Sequence, residues 1–191
     1  MRSGAHVPRL TGSVAATDPI SVGTWLPDRT VHVRSFAKSH GPDLRLAALS
    51  APDELAARIT MLRQLGQGWS SRLLQRVLLA LLTDSSAIGA VARARDAYAE
   101  RRAQLVDALA AEGIAVGGTD GINIWVPVGD ETATVVRLAS RGIGVAPGAP
   151  FAVLPGQPPH IRVTAGLLAT DQAAVASAIA DAARGSVRIS V

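Results

Sequence analysis

Lys38 is the only lysine in a chain of 191 residues whose lysines and arginines total 19. The other basic side chains are therefore all arginine, and arginine does not replace lysine as a nucleophile. A guanidinium keeps its proton at any working pH, whereas an ammonium can lose its proton and attack a carbonyl. The lysine sits in Ser35-Phe36-Ala37-Lys38-Ser39-His40-Gly41-Pro42-Asp43-Leu44-Arg45. A second candidate is Arg162, in Pro159-His160-Ile161-Arg162-Val163-Thr164. A guanidinium set between apolar residues on a short strand is costly unless an acceptor pairs with it. That acceptor is either an internal Asp or Glu or a carboxylate carried by a ligand. His40, two residues beyond Lys38, is placed to tune it or merely to fill the loop. His6, His32 and His160 lack metal-ligand spacing, and there is no cysteine to supply a thiolate.

These residues need elements to hold them. Residues 1–29 show no periodicity and are rich in Gly, Ser, Pro and Thr, which predicts an irregular lead-in. Thr30 to Ser35 alternates and is β-branched, a short strand, and Leu44 to Ser50 reads as a second. Ser50 is the candidate cap of a helix running from Asp53 to about Leu65, with acids in its first turn. Ser70 or Ser71 caps the next helix, ending at Leu82 or Thr83, and a long helix spans roughly 86–111. Strands are then expected at Ile114 to Val116, Ile122 to Val128, Ile143 to Ala146 and His160 to Thr164. Helices are expected at Glu131 to Arg141 and Asp171 to Arg184. The sequence thus divides into a lead-in (1–29), a segment carrying the lysine (30–85), and a long helix followed by a small α+β domain (86–191). Two opening strands do not make a stable sheet alone, which points to the edge of a larger α/β domain.

Composition removes several function classes. With 48% hydrophobic and 18% charged residues the chain can build a core and is not of disordered composition. The sequence pI near 10.9 accompanies a net charge of only +4, and the arginines are scattered over helical segments rather than clustered. That pattern describes solvated helix faces, and no nucleic-acid-binding motif accompanies it. The most apolar stretch, Leu73 to Leu82, is broken by Gln75 and Arg76 and is too short to span a bilayer. A cytoplasmic protein without disulfides, metal or membrane partner is the expectation.

The lysine segment carries a family resemblance. Ser35-Phe36-Ala37-Lys38, with Gly41-Pro42 and Leu44-Arg45-Leu46 behind it, resembles the cofactor-lysine segment of class I/II aminotransferases, fold-type I enzymes dependent on pyridoxal 5'-phosphate. The string Arg34 to Ala48 is more similar still to the aminotransferase-like domain of GntR-family regulators of the MocR type. The resemblance extends over most of the chain from about Thr11. It implies an α/β fold, the C-terminal portion of the aspartate aminotransferase-like PLP-dependent transferase fold, with a partial large domain and a small α+β domain. It implies that Lys38 bonds the cofactor aldehyde, that Ser35 and Arg45 hold its phosphate, and that Arg162 grips a substrate α-carboxylate. Asn123 and Trp125, and the Val145-Ala146-Pro147-Gly148 turn with Phe151, resemble the family's substrate-facing side.

In that family the cofactor ring is held by residues upstream of the lysine: an aspartate at the pyridine nitrogen, a stacked aromatic, an asparagine and a tyrosine. Only 37 residues precede Lys38 here. Thr11-Gly12-Ser13-Val14-Ala15 resembles the stretch just after the aspartate, and Asp18, ahead of Pro19, falls past its register. The expectation is a chain lacking the N-terminal part and the regulators' DNA-binding domain, with weak or absent transamination. Three functions follow from the resemblance: the effector-sensing part of a MocR-type regulator, an aminotransferase acting on an amino acid, or a structural remnant. The implied partners are a small amino compound and a second copy of the chain, the stretch Trp69 to Leu82 contributing to a homodimer.

Overall fold

The structure, a computed structural model, describes residues 21–184. The chain divides into two compact units, one up to Ala94 and one from Arg95 onward, the boundary falling within the long helix α3 (Ser85–Ala111). The lysine segment belongs to the first unit and Arg162 to the second.

In the first unit, β1 (His32–Ser35) pairs antiparallel with β2 (Ala47–Ser50), and α1 (Asp53–Gln64) and α2 (Arg72–Thr83) follow. The described end of the lead-in is more regular than its composition suggested, with 3-10 turns at Val22–Thr24 and Pro27–Arg29. β2 starts later than expected. Pro42–Leu44 forms a 3-10 turn, and Arg45 at φ 40 turns the chain before pairing begins. Ser50 does not cap α1, because it is engaged in β2 opposite His32, and the cap position falls to Pro52 without a side-chain bond. Ser71 does cap α2, accepting from Leu74 N–H at 3.3 Å. A two-stranded sheet buries too little to stand by itself. Here Phe36, Leu44 and Leu46 are buried against Leu74, Leu78 and Leu82, one stripe of α2 spaced by four.

The second unit holds a three-stranded antiparallel sheet in the order β3 (Ile124–Pro127), β5 (His160–Val163), β4 (Ala146–Pro147). Its core joins that sheet to Leu105 and Leu109 of α3, Leu138 of α4 (Glu131–Ala139), and Ala176 and Ile179 of α5 (Gln172–Arg184). Two expected strands are absent or shortened for one reason. Ile114 N–H bonds Leu109 C=O at 2.9 Å and Gly113 N–H bonds Ala110 C=O at 3.0 Å, with Gly113 at φ 80. Ile143, Gly142, Leu138 and Ala139 repeat the same bonds at the end of α4, with Gly142 at φ 77. Both are Schellman endings, in which the residue after the glycine packs back on the last turn. Ile114 and Ile143 are apolar because they close helices, not because they open strands. No single helix among the described residues is long and apolar enough to cross a membrane.

Ile161 is completely buried at the centre of this sheet, whereas Val136 on α4 is 62% exposed. Ile161→Ala is expected to cost about 3 kcal/mol and Val136→Ala less than about 0.5 kcal/mol. Urea unfolding of the two variants, followed by Trp125 fluorescence with Trp25 and Trp69 replaced by Phe, checks the contrast.

Candidate functional site

The first group of candidate residues lies where β1 leaves the sheet. Phe36 is buried next to the exposed Ser35, and on the returning segment Leu44 and Leu46 are buried on either side of the exposed Arg45. Ser35 pairs with Ala47, and Phe36 N–H bonds Leu46 C=O at 2.9 Å, so the register carries Arg45 to the same end of the pair as Ser35. Lys38 follows in a turn closed by His40 N–H to Phe36 C=O at 2.9 Å.

The donors at this end are uncommitted. Among the described residues neither Lys38 nor Arg45 has a hydrogen bond or an ion pair, and both side chains are exposed. Ser35 Oγ only accepts, from Ala37 N–H at 3.4 Å, so its own proton is free to be donated. Arg45 is held left-handed, one of two non-glycine residues with positive φ among those described, a conformation that costs an ordinary side chain about 1 kcal/mol. An amine, a guanidinium and a hydroxyl at one strand end, with no internal acceptor, suit a group bearing a phosphate and an aldehyde. These residues therefore fit pyridoxal 5'-phosphate at its phosphate and aldehyde ends. Thr11 to Ala15 and Asp18, read against the family's ring-binding segment, lie outside the described residues.

His40 packs within its own loop. Its ring meets Phe36 edge-on at 5.7 Å and Nδ1 is 2.7 Å from Ser39 Oγ. Burial pushes its pKa below the ordinary histidine value, which favours the neutral ring next to the Lys38 turn.

The second group lies on one face of β3–β5–β4. Ile124, Val126, Ile161 and Val163 face the core, so Trp125 and its partner Arg162 stand on the opposite face. Just beyond the Ile124–Val163 pair, outside the two strands, Thr164 Oγ1 donates to Asn123 Oδ1 at 3.0 Å. The internal acid that could have paired with Arg162 is not found among the described residues. Its guanidinium lies over the Phe151 ring at 4.1 Å, and its Nε is buried without an acceptor. Trp125 meets Phe151 edge-on at 6.4 Å and stacks on His160 at 5.3 Å. Stacking offsets part of the cost of a half-buried cation but leaves its donors for an acceptor from outside.

Several long-range bonds hold this face, made by residues that the sequence did not single out. Glu131, the first residue of α4, accepts from Ala149 N–H through Oε2 and from His160 N–H through Oε1, both at 2.9 Å. It thereby ties the turn carrying Phe151 to the start of β5. Gly148 completes the junction: its N–H bonds His160 C=O at 2.8 Å, and a Cβ there would sit 2.5 Å from that oxygen, so only glycine fits. Arg102, 6% exposed, donates to Gly118 C=O at 2.8 Å and Asn123 C=O at 2.7 Å, and Arg101 donates to Gly166 C=O at 2.7 Å. The only local signal was Glu131 as a first-turn acid; nothing near it in sequence names residues 149 and 160.

The His160 N–H bond first, and then that of Ala149, hold the Glu131 carboxyl below the ordinary glutamate value. A depressed pKa gives stability that is complete above the ordinary carboxylate value and is lost as pH falls through the lowered one. Urea unfolding of the second unit, read by Trp125, is expected to weaken below about pH 4.5. Glu131→Gln removes that part of the pH slope and lowers stability at pH 7. A slope unchanged in the variant would mean that Glu131 does not hold these amides.

Residues 12–179 match the family described as aminotransferase class I and II. The vitamin B6 salvage pathway transcriptional repressor PtsJ of Salmonella typhimurium is 35% identical over 153 residues, 76% of this chain and 35% of its own. The HTH-type transcriptional regulator TauR of Rhodobacter capsulatus is 33% identical over 129 residues, 64% of this chain and 27% of its own. Among solved structures, the α-aminoadipate aminotransferase LysN from Thermus thermophilus, complexed with N-(5'-phosphopyridoxyl)-L-leucine, superposes with a TM-score of 0.76 at 19% identity. The match covers 92% of this chain and 48% of LysN. The chain thus spans about a third of the two regulators it matches and about half of that structure, whose likeness establishes the aspartate aminotransferase-like fold.

Proposed function

Because the chain belongs to the class I and II aminotransferase family, whose cofactor is pyridoxal 5'-phosphate, we propose that it is the effector-sensing part of a MocR/GntR-type transcriptional regulator. In this reading Lys38 bonds the cofactor aldehyde, Ser35 and Arg45 hold the phosphate, and Arg162 and Asn123 receive a small amino compound. The observation that carries it is the set of uncommitted donors at the end of β1, with the chain's only lysine amine among them. The two regulators named above, each identical at about a third of the aligned positions, support the sensing role over an enzymatic one.

When bound, the cofactor supplies an aldehyde that condenses with primary amines and a ring that withdraws electrons from the attached carbon. The chain's contribution is binding and orientation. Arg45 presents a planar fork of donors to phosphate oxygens, and Ser35 adds a hydroxyl. The turn closed by His40 holds the Lys38 amine beside them, with a ring whose burial favours its neutral form. In the second unit Arg162, braced by Phe151, offers its free donors to a carboxylate. A second copy of the chain is the partner this reading supplies for the exposed Trp69, just before α2, and Leu73 in its first turn.

The test uses the purified chain and pyridoxal 5'-phosphate. A visible absorbance band is expected, and borohydride reduction is expected to leave the cofactor's mass on the peptide containing Lys38. Both vanish in Lys38→Ala. Arg45→Ala is expected to weaken cofactor binding about tenfold or more, the effect of losing charge-assisted hydrogen bonds. No band and no mass on Lys38 in the native chain overturn the cofactor reading. If the band forms, turnover of amino acids to keto acids would replace the sensor by an aminotransferase.

A further inference from the structure

The face that carries Arg162 offers a second, differently built contact. Thr164 Oγ1 donates its only proton to Asn123 Oδ1 at 3.0 Å. In this arrangement the Asn123 oxygen is occupied and its NH2 group remains. No other hydrogen bond to the Asn123 side chain occurs among the described residues. An amide nitrogen is a donor with no acceptor capacity, so what it leaves for a ligand is two N–H bonds.

The pair is rigidly mounted. Asn123 C=O takes a 2.7 Å bond from the buried Arg102, and Ile122 C=O takes one from Gly166 N–H at 3.2 Å. Gly166 C=O is in turn held by Arg101 at 2.7 Å. Asn123 and Ile122 before β3 and Gly166 after β5 are thus anchored, and Arg162 lies two residue pairs away on the same face. Contacts held in this way lose little entropy when a ligand arrives.

We infer that Thr164 is a positioning residue that sets the Asn123 amide as a donor, so that this face selects amino compounds carrying a second oxygen acceptor besides their carboxylate. Side-chain carboxamides and carboxylates are the chemical class. Apolar side chains of the same length leave the Asn123 N–H groups facing a ligand that cannot accept from them, and such a mismatch is what a site built for hydrogen bonding penalises. The inference rests on the reading of Arg162 as the carboxylate contact.

Succinamate and butyrate separate the two ideas, because they share a carboxylate and a similar chain but only succinamate bears a neutral oxygen acceptor. Titrations of the full 15N-labelled chain, followed at the Arg162 Nε–H and Asn123 amide signals, give both dissociation constants. Succinamate is expected to bind about tenfold more tightly, the effect of one well-placed hydrogen bond. Thr164→Val frees the amide to rotate, and the ratio of the two affinities is expected to fall to about twofold. Thr164→Ser, which restores the donor, brings the ratio back. A role in stability alone would weaken both ligands together and leave the ratio intact, which would overturn the inference. Equal binding of the two ligands to the native chain would overturn it while leaving Arg162 as a carboxylate contact. If neither ligand shifts the Arg162 signal, the carboxylate reading falls and this inference falls with it.

Discussion

The register between β5 and β3 is the constraint on which the second unit depends. Ile124 opposite Val163 and Val126 opposite Ile161 put four apolar side chains on the inner face. Because side chains alternate along a strand, the same pairing holds Trp125 and Arg162 outward. A slip of one residue would drive the guanidinium into a core built from Leu105, Leu138 and Ile179, and would turn Ile161 and Val163 to solvent. Core packing and the availability of Arg162 are therefore one condition. Glu131 and Gly148 guard the same register at its other end, by fixing β5 at His160.

The heavy use of arginine has a physical reading. Arg101, Arg102, Arg137 and Arg184 donate to backbone carbonyls of residues far away in sequence, at loop ends and the ends of α3 and α5. A planar fork reaches two such oxygens at once, which a single ammonium does less well. Arg102 does so while almost completely buried, bonding only to carbonyls. Lys38 has no hydrogen bond among the described residues, and neither has Arg45. The chemistry of Lys38, rather than its charge, is what sets it apart.

The first unit is thin by comparison. Its sheet has two strands exposed on both faces, and its core is one stripe of leucines on α2 under Phe36 and Leu46. α1 buries no residue, and Leu65 and Trp69 lie open. Exposed apolar area of this kind marks surfaces that meet other protein. The chain spans about half the length of the solved aminotransferase it superposes on.

How much was legible in sequence follows the range of each interaction. Ser35, Lys38 and Arg45 lie within eleven consecutive positions, so their common strand end could be read from alternation and a motif. Arg162 was legible as a charged position between apolar residues on a strand, whereas Asn123 entered only through the family resemblance. Ile114 and Ile143 were misread because an apolar residue after a glycine looks the same whether it starts a strand or closes a helix. The Ser50 cap failed because strand pairing, a longer-range bond, claimed that residue first. Glu131 reaching Ala149 and His160, Arg102 reaching Asn123, and Thr164 orienting the Asn123 amide join residues 18 to 41 positions apart. The sequence by itself determined which side chains could do chemistry and the period of the elements that carry them. Only the tertiary structure decided which backbone groups those side chains hold and which donors remain free, because hydrogen-bond partners are chosen by proximity in space.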